Sequence, residues 1–189
     1  METVEVLSGG KTIEKVVVGG KILDSKFEGM FAEILLSNGV NFEHESMTFT
    51  IPAGAGSYYM KPDFVTDMWI KVGKDLRRVS FETHTSRYID VKYVDRYMLF
   101  LSSECARENY LVLIFDKMTE QVARMQKYKK YRSEEFGENG GEIWIMPYNV
   151  SEGHEEVIKE IDLKVKSLLR DAIRAPMIIQ QKQAARHVV

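Results

Sequence analysis

Three acidic residues in separate stretches of the chain have the types and spacing of a metal-assisted hydrolytic site. Asp63 follows Pro62, Glu82 begins the run Glu82-Thr83-His84, and Glu28 lies upstream in a helix-like segment. Hydrolysis of a phosphodiester needs an activated water and stabilisation of developing charge, and a hard divalent cation with oxygen ligands supplies both. The three acids therefore indicate a divalent-metal site, provided that the fold brings them together.

A helix is predicted over residues 25–37, and it would carry the first of these acids. Ser25 is a favourable N-cap, and Glu28 stands where the second residue of a capping box belongs. Asn38-Gly39 is typical of the left-handed turn that ends a helix. This local pattern fixes Glu28 in the first turn.

Strands are predicted to carry the other two acids. The β-rich segments after the helix cover residues 41–51, 61–70 and 76–83. Gly73 separates the last two and is typical of a turn. Asp63 and Glu82 would therefore lie on adjacent strands.

The remaining segments alternate between strand and helix patterns. Diglycine pairs separate short β-rich runs within residues 2–23, which is typical of hairpins. The continuous apolar run Tyr110-Leu111-Val112-Leu113-Ile114-Phe115 predicts a strand buried on both faces. The other predicted elements are helices over 86–104, 117–132 and 151–174 and a strand over 142–146.

This order of elements predicts an α/β fold with a mixed central β-sheet flanked by helices. An N-terminal β-hairpin extension over residues 1–23 would precede a core over 24–150. A long C-terminal helix with a polar tail would occupy 151–189. The apolar residues of that helix follow a heptad-like stripe, which suits packing on the core or on a second subunit.

An ordered string of motifs runs from the helix to the last of the three acids. It comprises Glu28, Gly39-Val40-Asn41-Phe42-Glu43-His44-Glu45, Ile51-Pro52, Pro62-Asp63-Phe64 and Glu82-Thr83-His84. The string resembles the PD-(D/E)xK nuclease superfamily, and most closely the phage endonuclease I family of Holliday-junction resolvases. In that core a helix with Glu precedes a strand with Asp and a strand with Glu-x-Lys. His84 departs from the pattern, because it stands where the family has Lys.

The resemblance implies a restriction-endonuclease-like core and a metal-dependent DNA endonuclease. Mg²⁺ or Mn²⁺ would be held by Asp63 and Glu82. Glu28 would complete the site, and His84 would be the fourth catalytic residue. The resemblance also implies branched or junction DNA as the substrate, and a homodimer, because such enzymes cut two strands by pairing two subunits.

Each of these residues has a simpler interpretation as well. Asp63 could be a turn residue after proline, and capping alone explains Glu28. His84 is neutral much of the time near pH 7, unlike lysine. The site could therefore bind without cutting. Alternatively, Lys61, Lys92 or a lysine of the basic helix predicted over residues 117–132 could supply the missing charge from another position.

Basic residues that could contact DNA phosphates occur in two places. Around the acidic motifs they are Arg77, Arg78 and Arg87. In the helix predicted over residues 117–132 they are Arg124, Lys127, Lys129, Lys130 and Arg132. Tyr128 and Tyr131 are interleaved with this second group and could stack or donate hydrogen bonds. A solvated helix face is the alternative interpretation.

Composition narrows the class of protein. The chain has 189 residues, of which 44% are hydrophobic and 29% charged, as in a globular protein with a sizeable core. The net charge of −2 requires that any DNA contact come from local basic patches. A single cysteine, Cys105, excludes an internal disulfide and fits a reducing compartment. The absence of a signal-peptide pattern and of a bilayer-length apolar run predicts an intracellular protein that does not enter membranes, in the cytoplasm or, if viral, the host cytoplasm.

Three functional hypotheses remain open on the sequence alone. The first is a metal-dependent DNA endonuclease, and the second is a non-cutting DNA-binding or structural protein on a nuclease-derived fold. The third is a small dimeric interaction protein whose acids merely lie on the surface. Metal-dependent cleavage separates the first two hypotheses, and the third predicts neither DNA binding nor a metal effect on stability.

Overall fold

The computed structural model describes residues 2–8, 11–84, 89–136, 140–146 and 155–174. The helices in these ranges are α1 (Lys26–Ser37), α2 (Val91–Leu101), α3 (Cys105–Glu108), α4 (Glu120–Phe136) and α5 (Glu155–Asp171). The strands are β1 (Glu2–Ser8), β2 (Lys11–Val18), β3 (Lys21–Leu23), β4 (Phe42–His44), β5 (Phe49–Ala53), β6 (Gly56–Met60), β7 (Phe64–Val72), β8 (Asp75–His84), β9 (Asn109–Phe115), β10 (Gly141–Ile145) and β11 (Ala172–Arg174). None of the described helices has both the length and the apolar character that crossing a bilayer demands.

The main sheet is mixed and has six strands. Its order is β10-β9-β8-β7-β11, and β4 also pairs with β7. β8, β9 and β10 are parallel, whereas β7 is antiparallel to β8, and β4 and β11 are antiparallel to β7. The predicted fold class, a mixed central sheet flanked by helices, is confirmed.

β9 lies between β10 and β8 and is buried on both faces, as its apolar run predicts. Val112 and Ile114 pack into one core cluster with α1 and α5. Leu111 and Leu113 pack into a second cluster with α2 and α4. Because side chains alternate along a strand, this single segment contacts both layers of helices.

The carboxyl ends of the three parallel strands lie along one edge of the sheet. The register pairs His84, at the end of β8, with Phe115, at the end of β9. Ile145, at the end of β10, pairs with the same Phe115. α4 connects β9 to the parallel neighbour β10, so it begins at this edge and returns the chain to the opposite one.

α1 forms as its capping box predicts. Ser25 Oγ accepts the Glu28 N–H at 3.1 Å. The Glu28 carboxylate in turn accepts the Ser25 hydroxyl at 3.0 Å and the Asp24 N–H at 2.9 Å. After the helix, Gly39 takes a φ of +68°, a left-handed conformation that suits glycine. The cap thus fixes both the start of α1 and the position of the Glu28 side chain.

β7 and β8 form the hairpin that the glycine predicts. Val72 pairs with Asp75, which leaves Gly73 and Lys74 as a two-residue turn. Gly73 has a φ of +61°, as the first central position of such a turn requires. The hairpin brings the start of β7 beside the end of β8.

The prediction of one continuous strand over residues 41–51 is wrong. β4 belongs to the main sheet, whereas β5 pairs with β6 in a separate two-stranded sheet. Glu45 lies between them with a φ of +48°, a left-handed conformation that an extended strand cannot contain. The change of direction frees β5 and β6 to pack against α2.

Three helix predictions have the wrong bounds. The helix predicted over 117–132 is shifted towards the C-terminus, since α4 spans Glu120–Phe136. α2 begins only after Asp90, whose side chain accepts the Tyr93 N–H at 2.7 Å as an N-cap. The helix predicted over 151–174 ends at Asp171, because the next three residues pair with β7 as β11. Residues 85–88 and 151–154, at the predicted starts of the latter two helices, lie outside the described residues.

β1, β2 and β3 form a three-stranded antiparallel sheet at the N-terminus. The second predicted glycine turn, at Gly19 and Gly20, is confirmed, and both residues have positive φ. Val16, Val18 and Leu23 are buried in the same core cluster as α1 and α5. The N-terminal sheet is therefore packed on the core.

Candidate functional site

Asp63 and Glu82 meet across the β7–β8 hairpin. Phe64 pairs with Phe81 in antiparallel register, so one residue further along Asp63 faces Glu82. Thr83 donates both its backbone N–H and its hydroxyl to Asp63 Oδ2, each at 2.7 Å. The two predicted metal ligands are therefore neighbours, and Asp63 is anchored to the strand that carries Glu82.

Glu28 reaches the same place from α1. It is only 8% exposed, and its Oε2 accepts a hydrogen bond from His44 Nε2 at 3.2 Å. β4 pairs His44 with Phe64, the residue after Asp63. Glu28 from α1, Asp63 from the position just before β7, and Glu82 from the adjacent strand β8 thus come together, a set that we call the acidic edge. The predicted strand over residues 61–70 begins only at Phe64, so Asp63 lies at its entrance.

Crowding of like charges shows in the electrostatics of the acidic edge. The pKa of Asp63 is raised from 3.8 to about 7. Burial is the largest cause, followed by the negative charges of Glu82 and Glu28, while the two hydrogen bonds from Thr83 act in the opposite direction. A cation near Asp63 would reverse the shift, because it favours the ionised carboxyl.

His44 is a member of the site that sequence reasoning missed. Its pKa is raised from 6.5, chiefly by the hydrogen bond to Glu28, against the effect of burial, with the charges of Glu28, Asp63 and Glu45 adding to the rise. The protonated ring is therefore favoured beside these acids. Alternation along β4, with a buried Phe42 and an exposed Glu43, was a signal that could have placed His44 on the inner face.

The two carboxylate oxygens of Glu82 have different surroundings. The residue is 7% exposed, and its Oε1 accepts the Tyr93 hydroxyl at 3.3 Å. Burial, followed by the charges of Glu82 and Asp63, raises the pKa of Tyr93 well above 10, so that the phenol remains a donor. Within the described residues Glu82 Oε2 is buried without a hydrogen-bond partner. Such an oxygen is costly unless a ligand satisfies it.

His84 lies beside Glu82, as the motif predicts. Its Nε2 is 3.3 Å from Glu82 Oε1, although it makes no hydrogen bond within the described part of the chain. The ring is parallel to Phe115 at 6.3 Å between centroids and edge-on to Tyr93 at 4.5 Å. These aromatic contacts hold the imidazole at the end of β8.

The donor atoms of the acidic edge suit a hard divalent ion such as Mg²⁺ or Mn²⁺. The unpaired Glu82 Oε2 and the repulsion that raises the pKa of Asp63 are both features that a cation would relieve. In residues 2–8, 11–84, 89–136, 140–146 and 155–174, however, no three His, Cys, Asp or Glu side chains already form a metal cluster. Asp63 and Glu82 fit as ligands by chemistry and position, and they would have to close around the ion.

The arginines predicted to contact DNA from β8 have other surroundings. Arg77 is 6% exposed, and Arg78 donates its Nε to the Thr66 carbonyl at 2.7 Å, where the register of β7 shifts. Both lie in the first half of β8, whereas Glu82 lies near its end. Their burial and bonding point to roles within the hairpin rather than to direct phosphate contact. Arg87 lies outside the described residues.

The basic residues of α4 form a surface of their own. Arg124, Lys127 and Lys130 are exposed, and Lys130 lies 3.6 Å from Glu134 one turn away. The other two predicted contacts on this helix are partly buried; they are Lys129, whose pKa is lowered by burial, and Arg132. Since α4 runs back from the edge where β9 ends, its 17 residues place its far end about 26 Å along the helix from its start. The second half of the helix, with Lys129, Lys130 and Arg132, is therefore directed away from the edge at which β8 ends.

Comparison of the chain with protein-family models, with curated proteins and with solved structures finds no match. The resemblance to PD-(D/E)xK nucleases therefore stays a prediction that depends on the motif order. The geometry of the acidic edge is independent of that prediction, since it follows from sheet register, capping and hydrogen bonds.

Proposed function

We propose that this protein is a metal-dependent DNA endonuclease that hydrolyses phosphodiester bonds. The observation that carries the proposal is the convergence of Glu28 from α1, Asp63 from the position just before β7, and Glu82 from the adjacent strand β8. Buried acids that crowd one another destabilise a fold unless they are paired, so their presence favours a functional role. Carboxylate oxygens at a sheet edge suit metal-assisted hydrolysis, in which water is the nucleophile and no serine or cysteine is needed.

Asp63 and Glu82 would hold Mg²⁺ or Mn²⁺, which when bound would stabilise negative charge on the scissile phosphate. Thr83 engages Asp63 through Oδ2 and Tyr93 engages Glu82 through Oε1. Each carboxylate therefore keeps its other oxygen for the ion. These second contacts orient the ligands in the way that outer-shell partners commonly do.

Glu28 and His84 have supporting roles in this proposal. His44 and the α1 cap hold the Glu28 carboxylate beside Asp63, where it adds negative charge and can accept a proton. His84 Nε2, buried next to Glu82 Oε1, is placed to relay a proton beside that carboxylate. It would take the place of the lysine that the resemblance leads one to expect.

Branched DNA as the substrate and a homodimer as the active form belong to the same proposal, because cutting two strands calls for two copies of the site. The exposed cations of α4 would add phosphate contacts. A protein that acts on DNA would work inside a cell. The compartment would be the cytoplasm, or the host cytoplasm if the protein is viral.

The test is a cleavage assay with Mg²⁺ or Mn²⁺ on a four-way junction, a linear duplex and single-stranded DNA. Asp63→Ala should reduce cleavage by more than the roughly 10- to 100-fold that loss of an outer-shell partner costs. Glu43→Ala, an exposed acid on the outer side of β4, is the matched control and should cut normally. Equal cleavage by the Asp63 variant and the native protein would rule out the proposed site.

A non-cutting DNA-binding protein is the second candidate, and the packing of His84 favours it. The imidazole is held by Phe115 and Tyr93 in the position where a mobile lysine would be expected. DNA binding by the native protein without cleavage on any of the three substrates would select this alternative.

A further inference from the structure

A groove of about 350 Å³ lies between the β5–β6 hairpin and the start of α2. It is lined by Ser57, Tyr58, Tyr59, Asp90, Lys92 and Arg96. The two tyrosines are unusually open to solvent for aromatic residues, with Tyr59 62% and Tyr58 40% exposed. Exposed large aromatic side chains in a groove are a recurrent feature of binding sites.

The groove is cationic. Lys92 and Arg96 are four residues apart on α2, so they lie on the same side of the helix. The Arg96 guanidinium lies 5.6 Å from the centre of the Tyr93 ring and donates to the Tyr59 carbonyl at 3.4 Å. Asp90, the acid in the groove, is engaged as the N-cap of α2. With two cations and one acid among the lining side chains, the groove carries a net positive charge.

The groove is connected to the acidic edge on both of its walls. On the α2 wall, Tyr93 lies under Arg96 and its hydroxyl bonds Glu82. On the hairpin wall, Tyr59 is separated from Asp63 by a chain segment that spans at most about 14 Å. Lys61, paired with Glu45, lies on that segment. A strand lying in the groove could thus reach the proposed metal ligands.

We propose that this groove binds unpaired nucleotides of a DNA strand and leads that strand to the acidic edge. The inference rests on the proposed nuclease function. Tyrosine rings beside Lys and Arg bind single strands by stacking on the bases and neutralising the phosphates. The bases of a duplex are already stacked on one another, so a duplex offers such a groove only its backbone. The preferred substrate would therefore contain a flap, a gap or an opened junction arm.

The test is fluorescence anisotropy with a short oligothymidylate and with a duplex of the same length, in EDTA so that no cutting occurs. Tyr59→Ala should weaken binding of the single strand roughly 5- to 100-fold, the range for loss of one base–aromatic stack. Tyr59→Phe, which keeps the ring, should stay within about twofold of the native affinity. The duplex affinity should change little with either variant.

The phosphate contact has its own readout. Lys92→Ala should lower the slope of log affinity against log salt for the single strand by about 0.7. Lys159→Ala is the matched control, because Lys159 is an exposed lysine on α5, across the sheet from α2. It should leave both the affinity and the slope unchanged.

The outcomes separate this inference from the nuclease proposal, because binding in EDTA does not depend on cleavage. Native affinity in Tyr59→Ala, or a preference for duplex over oligothymidylate, would overturn the groove assignment even if the protein cuts DNA. Competition by polyglutamate as strong as that by oligothymidylate would also overturn it, in favour of an acidic polypeptide ligand. A Tyr59-dependent affinity in a protein that does not cut would support the groove and leave the second candidate function.

Discussion

The acidic edge and α4 are the two charged regions predicted to be functional. They differ in burial, because the acids lie inside the fold and most of the basic side chains lie on its surface. Glu28 and Glu82 are buried, and their charges help to raise the pKa of Asp63 to about 7. On α4, Lys127 and Lys130 are exposed, and Lys130 pairs with its neighbour Glu134 on the same helix. Burial of like charges costs stability, whereas solvated charges cost little.

The difference shows what kind of charge pattern identifies a site. The acids are scattered along the chain and meet only through capping, register and strand pairing, so their convergence calls for an explanation. The basic residues are close in sequence because they share one helix, and solvation accounts for most of them. If the contrast is real, changes at the acidic edge should affect stability and metal binding, whereas changes on α4 should affect neither.

Replacing Glu28 should cost far more stability than replacing an exposed acid, because the hydrogen bonds that Glu28 accepts outweigh its repulsion with Asp63. Glu28→Ala removes the acceptor of the Asp24 N–H, the Ser25 hydroxyl and His44, so the free energy of unfolding should fall by about 2–4 kcal/mol. Glu134→Ala, on α4, should change it by less than about 0.5 kcal/mol. Urea unfolding of both variants measures the difference. A loss below about 1 kcal/mol for Glu28→Ala would mean that the carboxylate is not fixed as described.

The parts of the fold that sequence predicted are those decided by neighbours in the chain. The Ser25–Glu28 cap, the turn at Gly73 and the doubly buried β9 each depend on a pattern of a few residues. Asp63 and Glu82 could be placed on adjacent strands for the same reason, since the hairpin between them is local.

The parts that sequence missed are decided by contacts distant in the chain. Residues 172–174 became β11 because β7 offers an open edge beyond β4, a fact that no local pattern contains. His44 and Tyr93 entered the site through strand pairing and through the docking of α2. No sequence pattern around either residue predicts these contacts, which depend on the register of the sheet.

Raising the pH should destabilise the native protein between about pH 4 and 7. Asp63 has a pKa of about 7 when folded and 3.8 ordinarily, so in this window the folded state holds a proton that the unfolded state has released. His44 acts in the same direction, since its stabilisation is present below its ordinary pKa of 6.5 and is lost as the pH rises through its raised folded pKa. With allowance for solvent screening, we expect the free energy of unfolding to fall by about 1–2 kcal/mol across this range.

Thermal unfolding across this pH range measures the effect. Asp63→Asn should flatten the profile, whereas Glu134→Ala should leave it unchanged. If stability falls as steeply with pH in Asp63→Asn as in the native protein, the proton that is linked to folding is not bound at Asp63.

Divalent metal should stabilise the native protein, and more strongly above pH 7 than at pH 5, because Asp63 must lose its proton to bind the ion. At free Mg²⁺ or Mn²⁺ tenfold above Kd the gain is about 1.4 kcal/mol, seen as a rise in Tm. Asp63→Ala should abolish the rise, and a Lys127→Ala, Lys130→Ala double variant should keep it. An unchanged rise in Asp63→Ala would exclude this metal site.

The smallest effect is expected on α4, and it decides whether that helix belongs to the site at all. The Lys127→Ala, Lys130→Ala double variant should change stability by less than about 0.5 kcal/mol, because both side chains are exposed. If the two lysines contact duplex phosphates, the slope of log affinity against log salt should fall by about 1.8, at 0.9 for each contact. Lys159→Ala on α5 controls for the loss of any exposed charge. A slope equal to that of the native protein would make α4 a solvated surface, and DNA contacts would then have to come from elsewhere, with the Tyr59 groove as the next candidate.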